Sequence, residues 1–268
     1  LRFLEDGAVF GKINAPLGLY YMNPAGMSTN KETNEWKAKE EKEVRDNFLN
    51  RQKPVKKTIA FSLWGDEPKY TIGAIKNAEL AKNIYPDWIC RFYVGASTPS
   101  EIVAQLKEFP NTEVIEMPED GNWTGMFWRF LAADDEEAVM ISRDTDSRLN
   151  LREKQAVDEW LQGGHDFHIM RDHPYHKTEI LGGMWGCRRG ILSGIEQMIN
   201  DYDKGDFWQV DQNFLREKIY PFVKDRSCIH DESFEINPFP SPREGREYVG
   251  EAFDEKEKHD QKLRDVIR

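Results

Sequence analysis

Ala138-Val139-Met140-Ile141-Ser142-Arg143-Asp144-Thr145-Asp146 is the stretch on which the fold turns. Ala138 to Ser142 carries no charge and stops at polar residues, which reads as a short strand buried on both faces, as in a parallel sheet covered by helices. In extended chain, residues two apart project to the same side, so Asp144 and Asp146 present two carboxylates from the strand's carboxyl end. In open α/β sheets that end is where ligands sit. Two hard oxygen donors suit Mg²⁺ or Mn²⁺, ions that bridge to a substrate's phosphates rather than take an all-protein cage. A bare Asp-x-Asp is also what a solvated turn looks like, so the surroundings decide.

Working back from Ala138, three further strands precede it: Thr58–Leu63, Trp88–Val94 and Thr112–Met117. A helix over Tyr70–Tyr85 separates the first two, with Ile72, Ile75 and Ile84 inward and Pro86 ending it. Thr98-Pro99-Ser100-Glu101 combines a capping hydroxyl, a first-turn Pro and an acid, and starts a helix to about Phe109. Met126–Ala133 reads as a short aromatic helix. Forward from Asp146 come a helix over Arg152–Leu161, a strand at Phe167–Met170, a loop from Arg171 to Gly183, and helices around Ile191–Tyr202 and Val210–Tyr220. Strands alternating with helices specify an α/β fold with a mixed, mainly parallel sheet flanked by helices, spanning residues 58–254. Residues 1–57 read as an N-terminal arm whose charge-dense part, Lys31 to Asn50, is helical with Trp36, Val44 and Phe48 on one side. Residues 255–268 read as a charged, helical tail.

Composition narrows the function classes. The 268 residues include 39% hydrophobic, 32% charged and 12% aromatic side chains with eight Trp, a globular balance with much aromatic surface to use. Acids exceed Lys and Arg by 48 to 37, a net charge of −11, which argues against nucleic acid as a partner and means that an anionic ligand needs local help from a cation. No apolar run is long enough to span a bilayer and Leu1 to Asp6 lacks the order of a signal peptide, so the expectation is a cytoplasmic, soluble chain; the start at Leu1 rather than Met leaves open a piece of a longer protein and an anchor outside it. Cys90, Cys187 and Cys228 are odd in number and far apart, as reduced core thiols are. Asn122-Trp123-Thr124 is a chance-level glycosylation acceptor. Oligomeric state is not legible.

These parts together resemble metal-dependent glycosyltransferases of the GT-A type, over about Thr58 to Asp254. The resemblance rests on Phe61-Ser62-Leu63-Trp64-Gly65, Phe127 to Ala132, Val139 to Arg148, Arg171-Asp172-His173-Pro174, Gly182-Gly183-Met184-Trp185-Gly186, Val210-Asp211-Gln212 and His230. It implies a GT-A-like Rossmann-type sheet and a nucleotide-sugar donor whose base and ribose lie on Phe61, Ser62 and Trp64. It further implies ribose and metal contact by Asp144, metal contact by Asp146, donor contact by Arg129 and a late metal ligand in His230. Arg243 and Arg246 would face the diphosphate, and the Asp211-Gln212 pair would lie near the donor sugar. The expected activity is transfer of a sugar to a carbohydrate or glycan acceptor hydroxyl with Mn²⁺ or Mg²⁺.

The residues themselves add to this. Two glycines, Gly182 and Gly183, beside Met184 and Trp185 suit close approach of a sugar to backbone. Asp172, between Arg171 and His173, has its basicity lowered and suits a binding role, and His173 with His176 reads as acceptor-side hydrogen-bonding groups. Asp211 is the expected base for an inverting reaction, whereas a retaining one lets the departing diphosphate take the proton. Three rivals stand beside this reading. His165, His168, His173 and His176 with Cys187 have poor spacing for zinc. A haloacid-dehalogenase-type phosphohydrolase also uses Asp-x-Asp, but on its first strand, and here the motif follows three strands and precedes Ser147-Arg148. A non-catalytic sugar-binding module of the same fold is the third.

Overall fold

The computed structural model describes residues 55–205, 207–234 and 237–267, so the expected arm helix over 31–50 lies outside the described residues. Lys56 and Lys57, placed in the arm by the sequence reading, already belong to the first strand. Seven strands form one sheet: β1 Lys56–Leu63, β2 Ile89–Val94, β3 Thr112–Glu116, β4 Ala138–Ser142, β5 Phe167–Arg171, β6 Trp185–Cys187 and β7 Ser227–Asp231. Their order is β3-β2-β1-β4-β6-β5-β7. β6 runs antiparallel to β4 and β5, and every other pairing is parallel. This is the mixed, mainly parallel α/β sheet expected. The sequence reading assigns no element to β6 or β7.

The helices are α1 Pro68–Ile84, α2 Ser100–Glu108, a 3₁₀ helix over Trp123–Asp134, α3 Leu151–Gly163, α4 Ile195–Asn200, α5 Val210–Phe214, α6 Tyr220–Val223 and α7 Gln261–Asp265. A π-helical turn, Leu215–Ile219, joins α5 to α6. Pro221 has no N–H to give to a carbonyl one turn back, and the Tyr220 amide donates five residues back, to Leu215 O. The expected charged tail helix shrinks to the five residues of α7. Its approach is bent by Asp254, whose carboxylate accepts the amide hydrogens of Lys256 and Lys258 at 2.8 Å each. At α2 the Thr98 hydroxyl does not cap the helix; it reaches Leu63 O at 3.5 Å. Asn122 caps the 3₁₀ helix, its side-chain oxygen accepting from the Thr124 amide and hydroxyl.

Alternation along the strands divides the core into two layers. Ile59, Phe61, Leu63, Val139 and Ile141 face α1, α2 and α3, where Ala74, Ala78, Ala81, Leu106 and Trp160 cover them. Ala60, Met140, Phe167, Ile169 and Trp185 face the other way, onto Phe127 and Phe130 of the 3₁₀ helix and Phe214 of α5. The buried stripe of α1 is small: Ile75 is inside, but Ile72 and Ile84 are only half-buried and Gly73, Ala74, Asn77, Ala78 and Ala81 do most of the packing. Small residues bring α1 close, and a Cβ on Gly73 would stand 2.1 Å from Thr145 O. Among the described residues no helix is long and apolar enough to cross a membrane.

Candidate active site

β1 lies between β2 and β4, so the chain leaves β1 toward one edge of the sheet and β4 toward the other. Such a reversal opens a crevice outside the carboxyl ends of the two strands. A cleft of about 660 Å³ occupies it, walled by Trp64 after β1, Asp144 and Asp146 after β4, Arg129 of the 3₁₀ helix, Met184 and Asp211.

The Asp144–Leu149 loop is fastened from beneath. Asn77, fully buried in the alanine stripe of α1, donates to Thr145 O at 3.2 Å and Ser147 O at 2.8 Å and accepts from the Leu149 amide at 3.1 Å. The Arg129 amide donates to Ser62 Oγ at 3.0 Å, tying the 3₁₀ helix to the end of β1. From there the buried Arg129 guanidinium bridges two carboxylates, pairing with Asp144 Oδ1 and, at 2.9 Å, with Asp211 Oδ2. Burial works against its charge, but Asp144 and Asp211 outweigh it and hold the guanidinium above its ordinary value. The Asp211 carboxyl is pushed up by burial, with Arg129 opposing.

Asp146 sits closer to the helix side, its Oδ2 2.7 Å from Lys69 Nζ in the first turn of α1. Burial, then the like charge of Asp144, raises its carboxyl, and Lys69 pulls it back. Asp144, Asp146 and Asp211 are three carboxylates around the two cations Arg129 and Lys69, and that surplus of negative charge fits a hard divalent cation as an additional partner. Two protein oxygens do not complete such an ion's shell. Among the described residues, the one group of three or more His, Cys, Asp or Glu donors close enough to share an ion is elsewhere. Substrate oxygens and water would supply the rest, as is usual for Mg²⁺ and Mn²⁺.

The structure gathers Ser62, Trp64, Arg129, Asp144, Asp146, Met184, Asp211 and Gln212 in this cleft, and separates others that the sequence reading assigned to it. His230 stands in β7 on the α3 face of the sheet, its Nδ1 2.8 Å from His168 Nε2, because its parity matches Cys228. Burial lowers the pKa of both imidazoles, that of His168 well below the usual range. Phe61 is interior, stacked on Phe92 at 4.8 Å, and Trp185 is interior, stacked on Phe167 at 5.3 Å. Asp172 is fully buried as an ion-pair hub, with Arg152 at 3.1 Å, Arg243 at 2.8 Å and the Val249 amide at 2.8 Å. Arg243 is thus spent on Asp172, and Arg246 makes a surface pair with Asp265 at 3.0 Å. His173 is turned inward, Nε2 on Leu263 O at 2.9 Å and Nδ1 accepting from the Tyr175 amide at 3.0 Å; His176, not His173, lines the cleft. Gly183 acts by proximity: a Cβ there would stand 2.0 Å from Asp144 Oδ2, and one on Gly182 2.4 Å from Arg129 Nη2.

The sequence reading missed Lys69 and the aromatic rim of Tyr70, Trp123 and Trp208, which are 40%, 45% and 60% exposed. One signal was available for the first two. Pro68 in the first turn marks a helix start just after β1, and the first turn of a helix that follows such a strand faces the ligand end of the sheet.

No family model matches the chain, and no curated protein matches it. Solved structures do. A glycosyltransferase involved in the glycosylation of the major capsid of PBCV-1 is 15% identical over 66% of this chain and 81% of its own, with a TM-score of 0.43. The mannosyltransferase PcManGT from Pyrobaculum calidifontis, in complex with GDP-Man and Mn²⁺, is 14% identical over 69% of this chain and 60% of its own, TM-score 0.43. The 4-diphosphocytidyl-2C-methyl-D-erythritol synthase from Anaerococcus prevotii is 8% identical over 70% and 94%, TM-score 0.43.

Proposed function

We propose that this cleft transfers a glycosyl group from a nucleoside-diphosphate sugar to an acceptor hydroxyl. The observation that carries the reading is the pair Asp144 and Asp146 at the end of β4, in the crevice beside β1, with Trp64 among the walls and the Arg129–Asp211 pair at its base. Trp64 offers a face to the base, and Asp144 and Asp146 hold the cation through which an acidic protein retains a diphosphate. A bound Mn²⁺ or Mg²⁺ supplies Lewis-acid neutralisation of the leaving diphosphate. Arg129 fixes the rotamers of Asp144 and Asp211 together, so that the end of the site touching the diphosphate and the end touching the sugar are set by one guanidinium. Asp211 orients sugar hydroxyls; burial moves its carboxyl toward the range of a general base, the role it takes if the reaction inverts. The exposed rings at the mouth suit the C–H faces of a carbohydrate acceptor.

A phosphohydrolase needs Asp144 as a nucleophile, yet Arg129 engages its Oδ1. The deciding experiment is a panel of nucleotide sugars with Mn²⁺ or EDTA, read as nucleoside-diphosphate release. Metal-dependent release that is faster with acceptor, and lost in Asp146→Asn with an unchanged circular dichroism spectrum, is the expected result. Equal binding in EDTA, or phosphate release from simple monoesters without nucleotide, overturns it. Binding without any turnover favours the sugar-binding module.

A further inference from the structure

On the α3 face of the sheet, outside the cleft, β5 and β7 run parallel with His168 opposite Cys228 and Met170 opposite His230. The period of two sends Cys228 and His230 to the same side, where His168 stacks flat on Trp160 with ring centroids 5.2 Å apart. One donor atom from each of His168, Cys228 and His230 lies within 4.8 Å of the other two. His168 is fully buried and His230 2% exposed.

As packing, the arrangement is poor. His168 Nε2 and His230 Nδ1 are 2.8 Å apart, two buried ring nitrogens with a single proton between them. Those two nitrogens and the Cys228 sulfur face one point, where a cation replaces the shared proton. We infer that His168, Cys228 and His230 form a second metal site, for a borderline-soft divalent ion of the Zn²⁺ class, separate from the carboxylate pair of the cleft.

The donor chemistry selects the ion. Two imidazoles and a thiolate suit Zn²⁺ and do not suit Mg²⁺. The required movement is small. Two Zn–N bonds of about 2.0–2.1 Å at a tetrahedral angle put the nitrogens about 3.3 Å apart, so the 2.8 Å contact opens by roughly half an ångström, and the sulfur closes to about 3.6 Å from each nitrogen. With Nδ1 of His230 as ligand, its Nε2 turns to Glu159 of α3, whose carboxylate is 3.9 Å away. A carboxylate behind a ligating imidazole fixes its tautomer and orientation. Cys228 is only half-buried, which leaves the fourth position to water. The consequence is a staple between β5 and β7, the last strand pair at that edge of the sheet.

The test is a Co²⁺ titration of the full, reduced chain, followed by the sulfur-to-cobalt charge-transfer band, with Zn²⁺ as competitor. The expected result is a band that saturates at one equivalent, is abolished by excess Zn²⁺ and is absent in Cys228→Ser, together with a Zn²⁺-induced rise in Tm that the same variant loses. Glu159→Gln, at a position 58% exposed, weakens the affinity by about 10- to 100-fold. Asp146→Asn leaves band and affinity unchanged. No thiolate band in the native chain, a band that survives Cys228→Ser, or a band lost in Asp146→Asn overturns the assignment.

Discussion

Replacing Arg129 by Met tests whether the site is organised around one buried guanidinium. Arg129 and Asp211 expose 7% and 3% of their side chains, whereas Asp144 exposes 44%. The Asp144 contact is screened by water and contributes at most about 1 kcal/mol. The Asp211 contact is not screened. Without Arg129, Asp211 keeps, among the described residues, the Gln212 amide at 2.8 Å as its donor and becomes an uncompensated buried charge, which costs about 3–5 kcal/mol. For a domain of this size that corresponds to a Tm lower by about 6–20 °C. Burial already raises the Asp211 carboxyl, and the variant removes the group that opposes the rise. An acid whose folded pKa lies above its unfolded value holds its proton more tightly in the native state, so its stability contribution falls as pH rises through that interval. Lowering the pH from 7 toward 5 therefore returns part of the loss in Arg129→Met. Adding Asp211→Asn removes the charge itself, so the double variant is more stable than the sum of the two single losses, by about 2–3 kcal/mol of coupling. Urea unfolding followed by Trp fluorescence at both pH values measures all of this. A loss under 1 kcal/mol for Arg129→Met, or strict additivity in the cycle, refutes the account.

Gly183→Ala puts a methyl 2.0 Å from Asp144 Oδ2 and displaces that carboxylate, so transfer falls by about 100-fold in a steady-state assay while secondary structure by circular dichroism is retained. Trp208→Ala, at the exposed rim, raises the acceptor KM by about 10-fold, equivalent to about 1.4 kcal/mol, and leaves nucleoside-diphosphate binding by calorimetry unchanged. His176 is held down to about 3 by burial, with the charges of His173 and Arg243 adding to it. Its folded value lies below its unfolded one, so the unfolded chain binds more protons between them; stability is lost as pH falls from about 6.5 toward 3. His176→Gln flattens that part of the stability profile, seen by thermal denaturation across pH 4 to 7.

What the sequence disclosed and what it withheld follow one division. β1, β2 and β4 are covered by helices on both faces, so their runs are mainly apolar, broken by Ser62 in β1 and Arg91 in β2, and stand out from the residues around them. β6 is three residues between glycine-rich segments, and β7 reads Ser-Cys-Ile-His-Asp; their places come from pairing with β4 and β5, which no local pattern records. Failure to see β7 as a strand decided the fate of His230. Treated as loop, it is free to reach the cleft; treated as strand, its parity with Cys228 commits it to the α3 face. The same holds for Asp172 and Arg243, which lie 71 positions apart and satisfy each other, a pairing invisible until β5 and the chain after β7 are brought together.

Asp144 and Asp146 were legible because a two-residue spacing at a strand end is a local property. What holds them was not read, although it left a mark. On the buried stripe of α1 the apolar and small residues are interrupted by Asn77. A carboxamide at such a position needs partners on the far side of the helix contact, and the segment it meets is the Asp144–Leu149 loop, whose carbonyls and amide it satisfies in three bonds. Gly73, one helical turn earlier, lets the backbones approach closely enough for those bonds to form. In this chain a polar residue and a glycine four apart on an alanine face mark where α1 grips the Asp144–Leu149 loop, and both stand in the sequence before any coordinates exist.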